Sequence, residues 1–355
     1  MQKHKKLIIA LSIIPQYLFV KLIAQFPGVV ETYYSNGLYV YISKASRFIF
    51  GWIPFSVGDL LYTLAGIYII RWLILNRKRI LKDTKNWALD VLSVVALAYG
   101  AFHLFWGFNY YRLPLHKSLD LDHKYTTEAL IEVTKKLIKK SNAIHNQISN
   151  SDTLKITMPY TKSELIKNTE ASYTALAKVH PQLEHSPRSV KTSLYSLPLT
   201  YMGFSGYMNP FTNEAHIDGL IPSHKYPTTV AHEEAHQIGY AAENETNFIG
   251  CLATINNPDI YYQYSGYIFA LRHCLNEVYR RDETVFKELK STINKGILAN
   301  YQESYDFWRS YQNPLEPMFK EIYGNFLKAN NQAKGIESYS YVVALLVNYF
   351  QDKTL

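Results

Sequence analysis

The sequence predicts a mainly α chain in two parts: three N-terminal transmembrane helices, then a helix-rich α+β soluble domain with a small β-sheet. Three observations predict it. Long apolar runs are confined to the first 108 residues, the excess positive charge sits among those runs, and helical apolar spacing dominates the rest, with one stretch broken up by Gly and Pro. The composition, 48% apolar and 19% charged over 355 residues, excludes a disordered chain and allows two or three domains. Residues 1–107 carry 12 Lys/Arg against four acids, which is the whole of the net charge of +8, while the other 248 residues carry 25 of each sign. A nucleic-acid surface would put basic residues on the folded domain, so nucleic acid is excluded as a partner and the charge is read as a membrane-topology signal. Two cysteines, Cys251 and Cys274, exclude a disulfide-stapled scaffold and a cysteine-only zinc site. Pairing in an oxidising compartment and burial as free thiols both remain open for them.

The first span is Leu7–Ala24, whose single charge, Lys21, lies near its end where the stem reaches the headgroups. It follows the basic cluster Lys3-His4-Lys5-Lys6 and has no small-residue cleavage site after it, which favours an uncleaved anchor over a signal peptide. The second span is Phe55–Leu75 and the third Trp87–Phe108, with Trp52, Trp72, Trp87 and Trp106 near their ends as interfacial aromatics are. Asp59 and Asp90 lie close to the edges of these runs, where a hydrogen-bonded or solvated structural role is expected. Lys and Arg are retained on the cytoplasmic side, and both the N-terminus and the segment Arg71–Lys85 are basic. Three spans that start inside end outside, so the chain beyond Tyr110 is expected on the extracytoplasmic face of the cytoplasmic membrane, with the lipid bilayer as a partner.

In the soluble part, residues 109–355, amphipathic helices are predicted over Thr126–Ile148 and Lys162–Val179. Short apolar stretches at Ser193–Leu199, Gly206–Asn209 and Glu214–Asp218 suggest a small sheet or hairpin. From Thr228 on, several helices are expected. The apolar tail Tyr339–Phe350 is too short to span a bilayer and reads as a core helix.

The chemistry is concentrated at Tyr226–Cys251. His232-Glu233-Glu234-Ala235-His236 matches H-E-x-x-H, and on a helix residues i and i+4 share a face, so both imidazoles can reach one zinc ion. Glu233 then stands beside the metal, placed to take a proton from a water that the metal activates. Pro227, Thr228 and Thr229 supply a helix start, and Val230, Ala231 and Ala235 a small apolar face. Gly239 allows the chain to turn back, and Glu243 and Glu245 follow. A structural zinc site uses four protein ligands, whereas two His and one carboxylate leave a position open for chemistry. With a helix starting near Ala241, Glu243 shares a face with Asn247 while Glu245 is rotated roughly 200° away. Glu243 is therefore the expected third ligand with Asn247 behind it, and Glu245 the fallback; the bland alternative is that both acids are solvated helix-surface charges.

The three spans together with Tyr207–Asp218, Ala231–Gly250 and the late segment Gly335–Phe350 resemble the bacterial membrane-protein family of domain of unknown function 3810. The H-E-x-x-H followed by E-x-x-x-N also resembles the gluzincin type of metallopeptidase. That resemblance implies a zincin-like soluble domain with His232, His236 and Glu243 on zinc, Glu233 as general base and Asn247 behind the ligands. Asn247 stands where gluzincins often have Asp, so it can orient a ligand but adds no charge. A peptidase also needs a donor for the tetrahedral oxyanion. The candidates are Tyr267, Arg272 and His273 on the following helix and His216 and Tyr207 on the strand-like segment, each of which has an ordinary structural reading beside the functional one. That segment also offers a sheet edge to which an extended substrate can add.

The expected function is thus that of a membrane-anchored zinc metallohydrolase acting on protein or peptide substrates outside the cytoplasmic membrane. The rival is a non-catalytic envelope or partner-binding protein that keeps the fold. A protease working within the membrane is disfavoured because the motif lies more than 120 residues beyond the last span. No sequence feature sets an oligomeric state.

Overall fold

A computed structural model describes residues 2–332 and 341–355; Gly335–Ser340 of the late segment, including the expected helix start at Tyr339, lie outside the described residues. Three helices are long and apolar enough to cross a membrane: His4–Ile23, Val57–Asn76 and Thr84–Phe105. Each starts or stops within three residues of the bounds expected from hydropathy. The first is formed by α1 (Gln2–Leu11) and α2 (Ile13–Ile23) in series, and the stretch that follows is helical as well: a π-helix, Val30–Leu38, runs into α3 (Tyr39–Gly51). The other two spans are α4 (Val57–Asn76) and α5 (Thr84–Phe105). Asp90 on α5 pairs with Lys6 at 2.5 Å and Arg79 at 2.9 Å, so this edge acid holds basic residues in place.

Beyond the spans come α6 (Thr127–Ser149), capped by the Thr126 hydroxyl accepting from the Ala129 N–H, and α7 (Lys162–Val179), opened by a reciprocal Thr161–Glu164 capping box. The sheet has three strands, β1 (Val190–Thr192), β2 (Gly206–Met208) and β3 (Ala215–Ile217), in the order β1-β3-β2. β1 runs parallel to β3 with Val190 opposite Ala215, and β2 runs antiparallel to it with Gly206 opposite Ile217. The first expected strand is displaced: Ser193–Leu199 is a turn leading into the helix α8 (Ser196–Met202), and the strand lies just upstream. The Ser193 and Ser196 hydroxyls bond within this turn, and Pro198 falls in the first turn of α8 where a missing N–H costs nothing.

The remaining helices are α9 (Tyr226–Gln237), α10 (Glu243–Asn256), α11 (Ile260–Arg281), α12 (Glu283–Ser291), α13 (Lys295–Ser310), α14 (Glu316–Ala329) and α15 (Val342–Phe350). α9 is the central element, packed against α7, α10, α11 and the strands β2 and β3. Val230, Ala231 and Ala235 are fully buried on it, as the small-residue face anticipates. α15 buries Val342, Leu346 and Val347 against α10 and α11, which makes it the core helix expected of the apolar tail. Cys251 and Cys274 are buried free thiols.

The sheet and the segment before α8 are joined to the second span by buried polar contacts. The first turn of α4 has free N–H groups, and the Glu214 carboxylate from the sheet accepts from Val57 N (3.2 Å) and Gly58 N (2.6 Å). Ser56 caps the same turn and meets His216 Nε2 at 2.7 Å. Asp59, fully buried, accepts from Ser193 Oγ (2.9 Å), from Leu194 N (2.7 Å) and from the Tyr207 hydroxyl. Replacing Asp59 with Ala leaves these donors buried without an acceptor. It should lower stability by about 3 kcal/mol, read as an earlier unfolding transition of the detergent-solubilised chain, whereas Thr63→Val, which loses an exposed bond to Tyr195 and a within-helix bond to Asp59 O, should cost about 1 kcal/mol.

Candidate functional site

α9 ends at Gln237 and the chain reverses at Gly239, whose φ of +92° is the left-handed conformation that ends a helix at little cost for glycine. The turn is clamped by Arg112, just beyond the third span. Its Nη1 donates to Gly239 O (2.9 Å), its Nε and Nη2 grip Glu31 bidentately (2.9 and 2.6 Å), and its guanidinium lies 4.0 Å above the Tyr240 ring. α10 then starts at Glu243 and packs closely along α9. The approach is closest at Gly250, where a Cβ would come within 2.8 Å of His232 N.

This packing brings the carboxylate of α10 against the imidazoles of α9. Glu243 Oε2 lies 3.3 Å from His232 Nε2 and 3.7 Å from His236 Nε2. Donor atoms of His232, Glu233 and His236 lie within 4.8 Å of one another. Glu243 faces both Nε2 atoms from α10, while Glu233 belongs to the same helix as the histidines. The His236 Nδ1 lies 2.8 Å from Tyr240 O, an arrangement in which Nδ1–H donates and Nε2 is turned toward Glu243. The Tyr323 hydroxyl on α14 donates to Glu243 Oε1 at 2.6 Å.

The electrostatics are those of a site with too much negative charge for its burial. Glu233 Oε2 and Glu243 Oε2 are both buried and accept no hydrogen bond among the described residues. Burial raises the Glu233 carboxyl above its ordinary range, and the Glu243 charge adds to this against the lowering effect of the imidazoles. Burial also works against charge on His236 and Glu243. Attraction between Glu243 and the imidazoles is stronger: it pushes His236 up to about 9, and His232 and His236 together hold Glu243 well below the usual carboxylate range. Two imidazole nitrogens and two carboxylates around one point, two oxygens lacking donors, form a donor set suited to a divalent cation.

The pair His232 and Glu233 forms a wall between two cavities of about 280 Å³ each. One is mainly apolar, lined by Phe102, Trp106, Met208 and Phe326 together with His236 and Glu243. The other carries Lys225, Thr228, Asn247 and Lys320. The edge strand β2 borders the first along Gly206–Met208.

The remaining expected residues are dispersed. Glu245 points away from the cluster: its Oε1 accepts from Leu115 N at 2.7 Å, and burial pushes its carboxyl up to about 7. It fixes the connector after the third span. Asn247 borders the second cavity beside His232, but the hydrogen bond to Glu243 comes from Tyr323. His216 faces Ser56, Tyr267 is buried in the core, and His273 stacks on Phe269 at 4.6 Å; none of the three lines either cavity. Tyr207 does line the apolar one, with its hydroxyl given to Asp59. Trp106 and Tyr323 were not expected at the site. A lone aromatic at a span end and a tyrosine among 30 carry no local signal for it. Though far apart in sequence, the motif and the third span meet in space: Trp106 at the span's end meets the His236 ring edge-on at 5.8 Å.

Residues 34–347 match the family described as Protein of unknown function (DUF3810), and the chain belongs to that family. No curated protein and no solved structure matches it.

The contact at Gly250 gives a direct check on this packing. Gly250→Ala places a methyl against the α9 backbone and should destabilise the chain by about 2 kcal/mol, measured by chemical denaturation, while Gly66→Ala, with open space around it, should be neutral or slightly stabilising.

Proposed function

We propose that the chain is a membrane-anchored zinc metallohydrolase, most simply a peptidase, whose soluble domain is zincin-like and acts outside the cytoplasmic membrane. The observation that carries this reading is the convergence of Glu243 Oε2 on both imidazole Nε2 atoms, at 3.3 and 3.7 Å, in an open cleft with a second carboxylate alongside. His232, His236 and Glu243 would hold the zinc, which supplies a Lewis acid that acidifies a water and polarises a scissile carbonyl.

The chain's own groups account for the rest. Glu233, buried and with its carboxyl raised, accepts the water proton and returns it to the leaving amine. Tyr240 O and the Tyr323 hydroxyl fix the orientation of His236 and Glu243. The edge strand β2 offers backbone groups to an extended peptide beside Glu233. The arrangement of α9, α10 and a mixed sheet with its edge at the cleft supports the zincin-like reading. The basic N-terminus and the basic segment between the second and third spans support the orientation.

Three exchanges test the assignment. The purified chain should bind about one zinc, and His236→Ala should abolish that binding while a folded, zinc-free wild type would refute the site. Glu233→Gln should retain zinc but lower peptide hydrolysis by at least about 100-fold; zinc binding with no hydrolysis by the wild type would favour the non-catalytic alternative. Tyr323→Phe should weaken zinc affinity by about 10-fold to 100-fold, measured by competition with a chelator.

A further inference from the structure

The apolar cavity has a rim whose outer face is also apolar. Its rim is a layer of two helices, α8 and α14, that pack against one another, with Asn313 Nδ2 donating to Tyr201 O at 2.7 Å just before α14 begins. The inner side of this layer lines the cavity through Leu199, Tyr323 and Phe326. Its outer side is apolar and exposed: Leu197 and Tyr201 on α8 are 51% and 47% accessible, and Met318 and Ile322 on α14 are 47% and 59%. Met318 and Ile322 are one turn apart, so they share one face of α14.

Both ends of this layer are attached to membrane spans. Phe326 packs on Phe102, one turn before the end of the third span, with ring centroids 6.0 Å apart. The Tyr195 hydroxyl, one residue before α8, meets Thr63 Oγ1 at 2.6 Å, and Thr63 lies six residues inside the second span, about 9 Å along its axis. A layer fastened at those two depths lies at the level of the headgroups and the first acyl carbons, where an exposed apolar face is solvated by lipid. Of the two cavities beneath, the one next to the span end is lined by Phe102, Trp106, Met208 and Phe326, and the one on the far side of the His232–Glu233 wall carries the cationic side chains Lys225 and Lys320.

We infer that the site takes its substrate from the bilayer: a polypeptide inserted by an apolar segment and cut at the residues that emerge from the membrane. The apolar portion lies against the span-end aromatics, and the chain leaving the membrane crosses the His232–Glu233 wall toward the lysine-bearing cavity. This rests on the metallopeptidase reading for the cleavage step, and on the rim geometry alone for the position of the mouth.

Two measurements on the full chain in phosphatidylethanolamine/phosphatidylglycerol vesicles separate these. Spin labels at Leu197→Cys and Ile322→Cys, with Cys251 and Cys274 replaced, should relax more with oxygen than with a water-soluble nickel chelate. Water-like accessibility at both, or immobilisation by a second copy or another protein, overturns the inference. A peptide library fused to a transmembrane segment, with the variable residues either adjoining it or held about 30 residues away on a flexible linker, should be cut at least 10-fold faster in the adjoining form. Equal cutting of the two forms overturns the bilayer route and leaves the peptidase standing. If neither is cut and no zinc is bound, the reading of the site fails and the cleavage inference with it.

Discussion

Glu243 Oε2 is a buried carboxylate oxygen with no hydrogen-bond donor among the described residues, held 3.3 and 3.7 Å from two imidazoles. A carboxylate in that position is costly to bury unless positive charge compensates it, and here the compensation comes from across the helix pair rather than from within α10. The rest of the domain is arranged to hold that geometry. Gly250 lets the two helices approach, the Gly239 turn sets the angle between them, and Arg112 fixes the turn by spanning Gly239 O and Glu31. Tyr323 holds the other Glu243 oxygen, so α14 is committed to the site as well.

The same logic explains why α9 tolerates so many polar residues at full burial. Its back face carries Glu234 and Gln237, each with partners. Arg188 Nε donates to Glu234 Oε1 at 2.6 Å, and Gln237 Nε2 donates to Ser189 O and Asn213 O at 2.8 and 2.6 Å. Tyr39 from α3 donates to Gln237 O and accepts from Asn213 Nδ2. A buried polar network that is paired on one side only permits one helix rotation, since turning α9 would orphan several groups at once. At the cleft, on the other face, Glu233 Oε2 and Glu243 Oε2 accept no hydrogen bond among the described residues. Glu31, Arg112 and Tyr39 belong to the anchor region or adjoin it, so the membrane part is a structural component of the site, not a tether alone.

Much of this was legible in the sequence for identifiable reasons. The spans follow from hydropathy, α6 and α7 from capping residues and apolar spacing, and the meeting of His232, His236 and Glu243 from helical periodicity and a glycine at the turn. The strand boundaries were not, because strands of three residues carry little periodic signal and the Ser193 side chain redirects the chain into α8. Long-range partners left no trace either: Tyr323 is 80 residues from Glu243, and Glu31 is 81 from Arg112. His216 has the composition of a catalytic candidate and a structural position, paired with Ser56 at the cap of the second span.

Sequence distance was the most misleading quantity. A motif more than 120 residues past the last span suggests a domain standing clear of the bilayer, yet the fold returns α9 to the span end, so that Trp106 touches His236. The cause is visible in the first turn of α4. Helix N-termini need acceptors, and one that emerges from a membrane span cannot find water on every side. Glu214 and Ser56 supply those acceptors, and Asp59 ties the same turn to the segment before α8. Satisfying the end of a span therefore requires the sheet to sit on it. Because β2 and β3 also pack on α9, the sheet carries the His232–Glu233–His236 helix down to the membrane surface with it.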